Sequence, residues 1–340
     1  MTSCLDGGFL IYKTMQAKKA LLQKQPFKYK NTFWNYQDEK HEGVFIKSVR
    51  MFLRSFRKRF LNNRQLKHTW SDTTRSPITP TVAPLITWIG HSTFLIQIDG
   101  ITVLTDPIFG NASPFFRRIL PPGIALSEIV PIDYILISHN HRDHMDARSL
   151  YNLKRFNPTI CVPLGLNTWF SKNGFLNIRE LNWWESIKIE TPLHKSITFT
   201  FLPAYHWSQR GAFDRNKTLW GSWLIEYDGW RIYFAGDTAY ANHFADIGKE
   251  YRDIDIALMP IGPCEPHEWM KKTHMNAQQA VDAFLDLQAQ HFIPMHWGTF
   301  YFGTDHFTAP LDQLVHHWHL LPPSADKQLH MPKIGQQLVF

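Results

Sequence analysis

The segment His139-Asn140-His141-Arg142-Asp143-His144 places three imidazoles and a carboxylate within six consecutive residues. Imidazole nitrogen and carboxylate oxygen are the donors that zinc takes at about 2.0–2.2 Å, and one site needs three or four of them. In a turn after a strand, His139 and His141 project one way, and Asp143 and His144 face a second ion about 3.5–4 Å away. The chemistry such a pair of sites supports is metal-assisted hydrolysis. A chance histidine cluster on a surface loop is the competing reading. The tract follows directly on the apolar run Tyr134-Ile135-Leu136-Ile137-Ser138. That run reads as a short buried strand delivering the histidines at its C-terminal end, which argues against chance.

The elements that must position this tract are legible in outline. Short β-branched and aromatic runs at 85–89, 93–98 and 101–105 read as strands. Asp99-Gly100 between the last two is a two-residue hairpin signal. Further strands are expected at 134–138, 197–202, 222–227, 231–235, 254–259 and 291–295, and helices at 147–157, 276–287 and near 310–319. Hairpins mixed with crossover helices predict a mixed α/β domain. No fixed-period repeat or low-complexity tract interrupts it.

Three zones precede that domain. Residues 1 to about 43 read as a polar arm. Residues 44–60 carry apolar side chains at 45, 46, 49, 52, 53, 56 and 60 with Lys and Arg opposite. This is a basic amphipathic helix, which either lies on a membrane surface or docks its apolar face on the catalytic domain. Residues 61–84 form a linker with Pro77, Pro80 and Pro84. The division expected is an N-terminal arm, helix and linker over 1–83 and a catalytic domain over 84–340.

Composition sets the bounds. The chain has 340 residues with 44% hydrophobic and 19% charged content, enough for a sizeable core. The net charge of +7 favours anionic partners without choosing among phosphate substrates, membrane surfaces and nucleic acid. Cys4, Cys161 and Cys264 are far apart and odd in number, so a disulfide framework is not expected and a reducing, cytoplasmic location is. No run of about 18 apolar residues predicts a spanning helix, and the N-terminus lacks a signal-peptide pattern.

The tract resembles that of the metallo-β-lactamase fold superfamily. The segments 137–146 (ISHNHRDHMD), 162–166 (VPLGL), 181–185 (LNWWE), 219–223 (LWGSW), 234–238 (FAGDT), 260–262 (PIG) and 295–300 (MHWGTF) narrow the resemblance to the N-acylphosphatidylethanolamine-hydrolysing phospholipases D. It covers nearly all of 84–305. It implies a four-layer αβ/βα sandwich, two mixed β-sheets flanked by helices. It implies two zinc ions per chain with a bridging water or hydroxide. His139, His141 and His206 would hold one ion, Asp143, His144 and His296 the other, and Asp237 would bridge both. Asp143 and Asp237 are thereby catalytic as well as ligating. Asp106 matches a position that orients a ligand imidazole. His91, within Gly90-His91-Ser92-Thr93, either lines the site or is a hydrogen-bonded turn residue. His274 resembles a pocket histidine that contacts the substrate phosphate or donates a proton. Family members form homodimers, and a homodimer is admitted here.

The activity implied is phospholipase D-type hydrolysis of N-acylphosphatidylethanolamine-like phospholipids to N-acylethanolamine and phosphatidate. The chain departs from the family pattern after residue 305, before residue 31 and within 265–270, which leaves acyl-chain preference open. A lactonase acting on a phosphorylated sugar is the nearest alternative on the same scaffold. The tryptophan-rich segments and the basic helix favour a phospholipid substrate over it, with peripheral membrane contact through 44–60. A nuclease is disfavoured, because the basic excess is concentrated at 47–59 and no nucleic-acid motif is present. No nucleic-acid partner is expected.

Overall fold

The computed structural model describes residues 25–29, 32–35, 69–72, 83–191, 194–322 and 326–340. The amphipathic segment 44–60, most of the N-terminal arm and most of the linker lie outside the described residues.

Two sheets of seven described strands each face one another. The first runs in the order β16 (Gln337–Val339), β3 (Leu85–Gly90), β4 (Thr93–Ile98), β5 (Ile101–Thr105), β6 (Tyr134–Leu136), β7 (Thr159–Pro163), β8 (Ile178–Leu181). The second runs β15 (Gln328–Leu329), β14 (His291–Met295), β13 (Ile256–Pro260), β12 (Trp230–Phe234), β11 (Ser222–Tyr227), β10 (Ser196–Leu202), β9 (Glu185–Glu190). Each sheet is antiparallel on one side and parallel on the other. A separate hairpin, β1 (Phe27–Tyr29) with β2 (Thr32–Trp34), pairs with neither sheet but buries Phe33 in the main core.

Period-2 patterning sorts the strand residues into layers. In the first sheet Phe94, Ile96, Val103, Tyr134, Leu136 and Cys161 enter the core between the sheets. Their neighbours Leu95, Leu104, Ile135, Ile160 and Val162 face the other way, into a second core. Helices α1 (Ala147–Leu153) and α2 (Asn167–Lys172) cover that second core through Leu150, Leu153 and Phe170. Across the sandwich, Tyr134 meets Phe199 with ring centres 5.0 Å apart. The outer face of the second sheet is covered by α3 (His243–Glu250), α5 (Ala277–Asp286) and α6 (Ala309–His319), with contacts such as Phe244 on Tyr233 and Phe284 on Phe292. The short α4 (His267–Met270) lies between β13 and α5. The result is the four-layer αβ/βα sandwich.

The hairpin expected at Asp99-Gly100 forms, with φ of 49° and 79° and Ile98 paired to Ile101. Positive φ at both central residues is the twist-matched hairpin geometry that Asp-Gly favours. Asp228-Gly229 turns β11 into β12 the same way, with φ of 49° and 90°. Lys195 joins these two turns, 3.0 Å from Asp99 and 2.7 Å from Asp228. The strands and helices expected within the described residues all form, with shifted ends. The helix expected over 147–157 stops at Leu153 and tightens into a 3₁₀ turn, Lys154–Phe156, capped by Asn157 in the left-handed region. Among the described residues, β1, β2, β7, β8, β9, β15, β16, α2, α3 and α4 are additions that the periodicity does not reach.

A candidate dinuclear metal centre

Strand ends place the site. Beyond β6, Ser138 is pinned at its backbone: its N–H donates to Asp106 Oδ1 at 2.7 Å and its carbonyl accepts from Gly221 N–H at 3.0 Å. The chain then turns through His139–His144, and His144 and Met145 donate their amides back to the His141 carbonyl. His206 follows β10, Asp237 follows β12 and His296 follows β14. His91 occupies the tight turn between β3 and β4. Parallel neighbours and paired hairpins bring all of these ends to one edge of the sandwich, opposite the edge clamped by Lys195.

At that edge the side chains form two adjoining donor groups. His139, His141, His206 and Asp237 offer ligand atoms that all lie within 4.8 Å of one another, and so do His91, Asp143, His144 and His296. His139 Nε2 lies 2.7 Å from His141 Nδ1, which lies 3.3 Å from His206 Nε2. Asp237 stands between the groups. Its Oδ2 is 3.7 Å from His206 Nε2 and 3.2 Å from His144 Nε2, while Oδ1 is 3.0 Å from His296 Nε2. His274 Nδ1 lies 3.8 Å from Asp237 Oδ2. The structure thus brings together all seven residues read as ligands and sets His274 at their margin. His91 belongs to the second group, with Nε2 3.2 Å from Asp143 Oδ2. It is a hydrogen-bonded turn residue as well, since its carbonyl accepts from Trp88 Nε1 and His296 N–H.

A further layer fixes how these rings point. Asp106 Oδ2 accepts from His144 Nδ1 at 2.7 Å, and from the Ser138 hydroxyl. Ser138 Oγ lies 2.9 Å from His139 Nδ1. His206 and His296 each donate through Nδ1 to a backbone carbonyl, Thr273 and Gly262 respectively, both at 2.8 Å. Each contact commits the Nδ1 proton outward and turns Nε2 toward the centre. Sequence reading places Asp106 in this layer. It gives Ser138 no orienting role and misses the two carbonyls, because a carbonyl carries no residue-type signal. Three members, His91, Asp106 and His296, have φ of 55°, 32° and 61°. Non-glycine residues held in the left-handed region concentrate at functional sites, where surrounding contacts impose the conformation.

The electrostatics call for cations. His91, His139, Asp106, His144, His206, Asp237 and His296 are all buried. Burial pushes His141 down to about 4, and His91, His206 and His274 down to about 3, so these rings are neutral at physiological pH. Burial disfavours ionised Asp237, but the imidazoles of His144 and His296 outweigh it and hold the carboxyl well below its usual range. His144 is the exception among the rings. Burial disfavours its charged form, yet Asp237, Asp143 and the hydrogen bond to Asp106 raise it well above the ordinary imidazole value. Three carboxylates around one ring demand a positive charge, and a proton is only one way to supply it. Meanwhile His144 Nε2, His296 Nε2 and Asp237 Oδ1 are buried without hydrogen-bond partners. Buried polar atoms of this kind normally have partners. Bare imidazole nitrogens and ionised carboxylates converging in a buried pocket fit divalent cations.

Comparison with known proteins agrees with this geometry. A family model described as a beta-lactamase superfamily domain matches residues 102–297. The chain is 36% identical over 242 residues to N-acyl-phosphatidylethanolamine-hydrolyzing phospholipase D 1 of Caenorhabditis elegans, covering 67% of this chain and 68% of that one. It is 35% identical over 241 residues to the mitochondrial N-acyl-phosphatidylethanolamine-hydrolyzing phospholipase D of Saccharomyces cerevisiae, covering 67% of this chain and 50% of that longer protein. Among solved structures, the metallo hydrolase Igni18 of Ignicoccus hospitalis superposes with a TM-score of 0.58 at 23% identity, over 76% of this chain and 98% of its own. With family, fold and a His/Asp cluster able to hold metal ions in agreement, the chain belongs to the metallo-β-lactamase superfamily as a metal-dependent hydrolase resembling N-acylphosphatidylethanolamine-hydrolysing phospholipase D.

Proposed function

We propose that this protein is a zinc-dependent phosphodiesterase of phospholipase D type, cleaving N-acylphosphatidylethanolamine-like phospholipids to N-acylethanolamine and phosphatidate. The observation that carries the reading is Asp237 between two complete donor groups, in a chain 35–36% identical to two phospholipases named for that substrate. In this assignment His139, His141 and His206 would hold one zinc ion, Asp143, His144 and His296 would hold the other, and Asp237 would serve both. Zinc in such a site supplies a Lewis acid that makes hydroxide available near neutral pH and offsets charge developing on a phosphoryl oxygen.

The chain's own residues do the rest. Thr273 and Gly262 hold His206 and His296 with Nε2 bare, and Asp106 fixes the His144 ring with Nε2 toward the centre, so the rings are oriented before a metal ion engages. Asp237 stays ionised between the donor groups. His274, neutral and partly open to solvent, offers an N–H to a substrate phosphate oxygen beside Asp237. His91 accompanies Asp143 and restricts how that carboxylate can turn.

The deciding experiment is metal analysis of the purified protein together with a phospholipid panel scored by mass spectrometry, run beside soluble phosphorylated-sugar lactones. The expected outcome is about two zinc equivalents and release of N-acylethanolamine with phosphatidate. Lactone hydrolysis without phospholipid cleavage would move the assignment to the lactonase reading. Full activity in metal-free protein would remove the mechanism.

A further inference from the structure

Two loops leave the ligand edge and bracket the centre. One runs over 107–118, directly after Asp106, and the other over 207–218, directly after His206. On the first, Phe116 packs against Phe302 at 4.9 Å, and Phe302 lies 5.6 Å from His91. On the second, Trp207 lies 4.4 Å from the His141 ring. Each loop carries a phenylalanine at its tip that does not join the core: Phe115 is 65% exposed and Phe213 is 89% exposed.

Both tips are held by built turns. Ser113 Oγ accepts from the amides of Phe115 and Phe116, and Asn111 Oδ1 accepts from Arg118 N–H. In the other loop Asp214 Oδ1 accepts from the amides of Arg210 and Gly211, and Asn216 N–H donates to the Ser208 carbonyl at 2.7 Å. Arg210 ties that loop to the histidine tract by donating to the Met145 carbonyl at 2.7 Å. Arg117, Arg215 and Lys217 are exposed on these loops, and Arg142 is exposed between them. Asp214, which serves the turn, is the sole acidic residue in 107–118 and 207–218.

Single exposed apolar residues are ordinary on protein surfaces. Two phenylalanines on fixed turns either side of a buried hydrolytic centre, set among cations, have a specific use. Aromatic side chains entering the headgroup region bury apolar area, and arginine and lysine beside them are drawn to an anionic surface.

We propose that the tips of loops 107–118 and 207–218 form a docking surface for an anionic phospholipid bilayer, with Phe115 and Phe213 inserting and Arg117, Arg142, Arg215 and Lys217 meeting phosphate groups. This surface is distinct from segment 44–60. Its catalytic meaning, delivery of a headgroup to the centre, rests on the phospholipid reading above.

The test uses the full zinc-loaded chain and vesicles of phosphatidylcholine and phosphatidylserine in equal parts. Sedimentation is compared for the wild type, the double variant Phe115→Ser/Phe213→Ser and the double variant Arg215→Glu/Lys217→Glu. Both variants should bind vesicles roughly tenfold more weakly, since each loses one of the two attractive contributions. Hydrolysis of a short-chain N-acylphosphatidylethanolamine kept monomeric in solution should keep the wild-type kcat/KM in the phenylalanine variant. Unchanged vesicle binding in that variant overturns the proposal. If the wild type cleaves the monomeric lipid but does not bind vesicles, the docking surface is wrong and the phospholipase reading stands. If the variants bind weakly and no form cleaves N-acylated phospholipid, the surface stands and the substrate reading falls.

Discussion

Asp237 is the residue on which the two donor groups meet, with one oxygen toward His296 and the other toward His144 and His206. Asp237→Asn keeps the shape and removes the charge. It should lower metal content below that of the wild type and reduce turnover by more than roughly 100-fold. Elemental analysis and product release measure both, and a near-normal rate with full metal content would exclude the bridging role. Asp106 acts at one remove. Asp106→Asn presents His144 with a mixed donor and acceptor in place of a pure acceptor, so the Nδ1 proton is no longer enforced. Metal affinity should fall by roughly 10–100-fold while the fold survives. A titration with a competing chelator reads that directly, and wild-type affinity would show that the carboxylate does not orient the ring.

At the scale of elements, the centre depends on how closely the turn after β12 approaches the turn after β6. Gly236 has φ of 59°, and a Cβ there would stand 2.6 Å from the Ser138 Cβ and 3.0 Å from the Gly221 carbonyl oxygen. Gly236→Ala therefore meets both conformational strain and overlap. It should destabilise the protein by about 1–3 kcal/mol. Because Ser138 contacts His139 and Gly236 precedes Asp237, metal content should fall with it. Chemical denaturation of the metal-free form separates the stability loss from the metal loss, and a neutral effect on both would mean that the two turns can separate freely. Several elements that sequence reading misses have a common cause. β9 alternates Ile187 and Ile189 with Ser186 and Lys188, but it is an edge strand with mostly exposed residues, so its apolar signal is thin. β7 contains Cys161 and Pro163, which dilute a strand pattern, although the strand is almost wholly buried. Tertiary burial decides both.

For the molecule as a whole, the buried histidines set the response to pH. His91, His141, His206 and His274 have folded-state values lowered from 6.5 to between about 3 and about 4, chiefly by burial. A depressed folded value means that the stability is present above 6.5 and is lost as pH falls through the folded values. His144 runs the other way: raised in the folded state, it favours the metal-free fold below its unfolded value and loses that contribution as pH rises through its folded value. The metal-free protein should accordingly lose thermal stability steadily from pH about 6.5 down toward about 3, with the four depressed rings outweighing one raised ring. Binding of a divalent metal ion should release a proton from His144 and tighten as pH rises. Calorimetry in buffers of different ionisation enthalpy measures that proton, and affinity that is flat between mildly acidic and mildly alkaline pH would contradict the charge balance drawn here. Among the described residues, no helix is long and apolar enough to cross a membrane.

What the chain itself determined was local. Six consecutive residues after a buried strand announce a metal tract, because ligand spacing within a turn is a short-range property of the backbone. Asp99-Gly100 likewise specifies its hairpin by residue type alone. The strands that carry His206, Asp237 and His296 are readable too, yet each of those residues stands alone in its stretch of sequence, and only resemblance to a family joins them. Tertiary structure decided that the three ends share one edge with His139–His144. It also set His91, named from sequence as lining the site or as a turn residue, among the second donor group, lent the carbonyls of Gly262 and Thr273 to two of the rings, and gathered three carboxylates about His144. The reason is physical: convergence over more than a hundred residues is set by strand pairing and by the packing of two sheets through a shared core. No window of sequence contains both partners of such a contact.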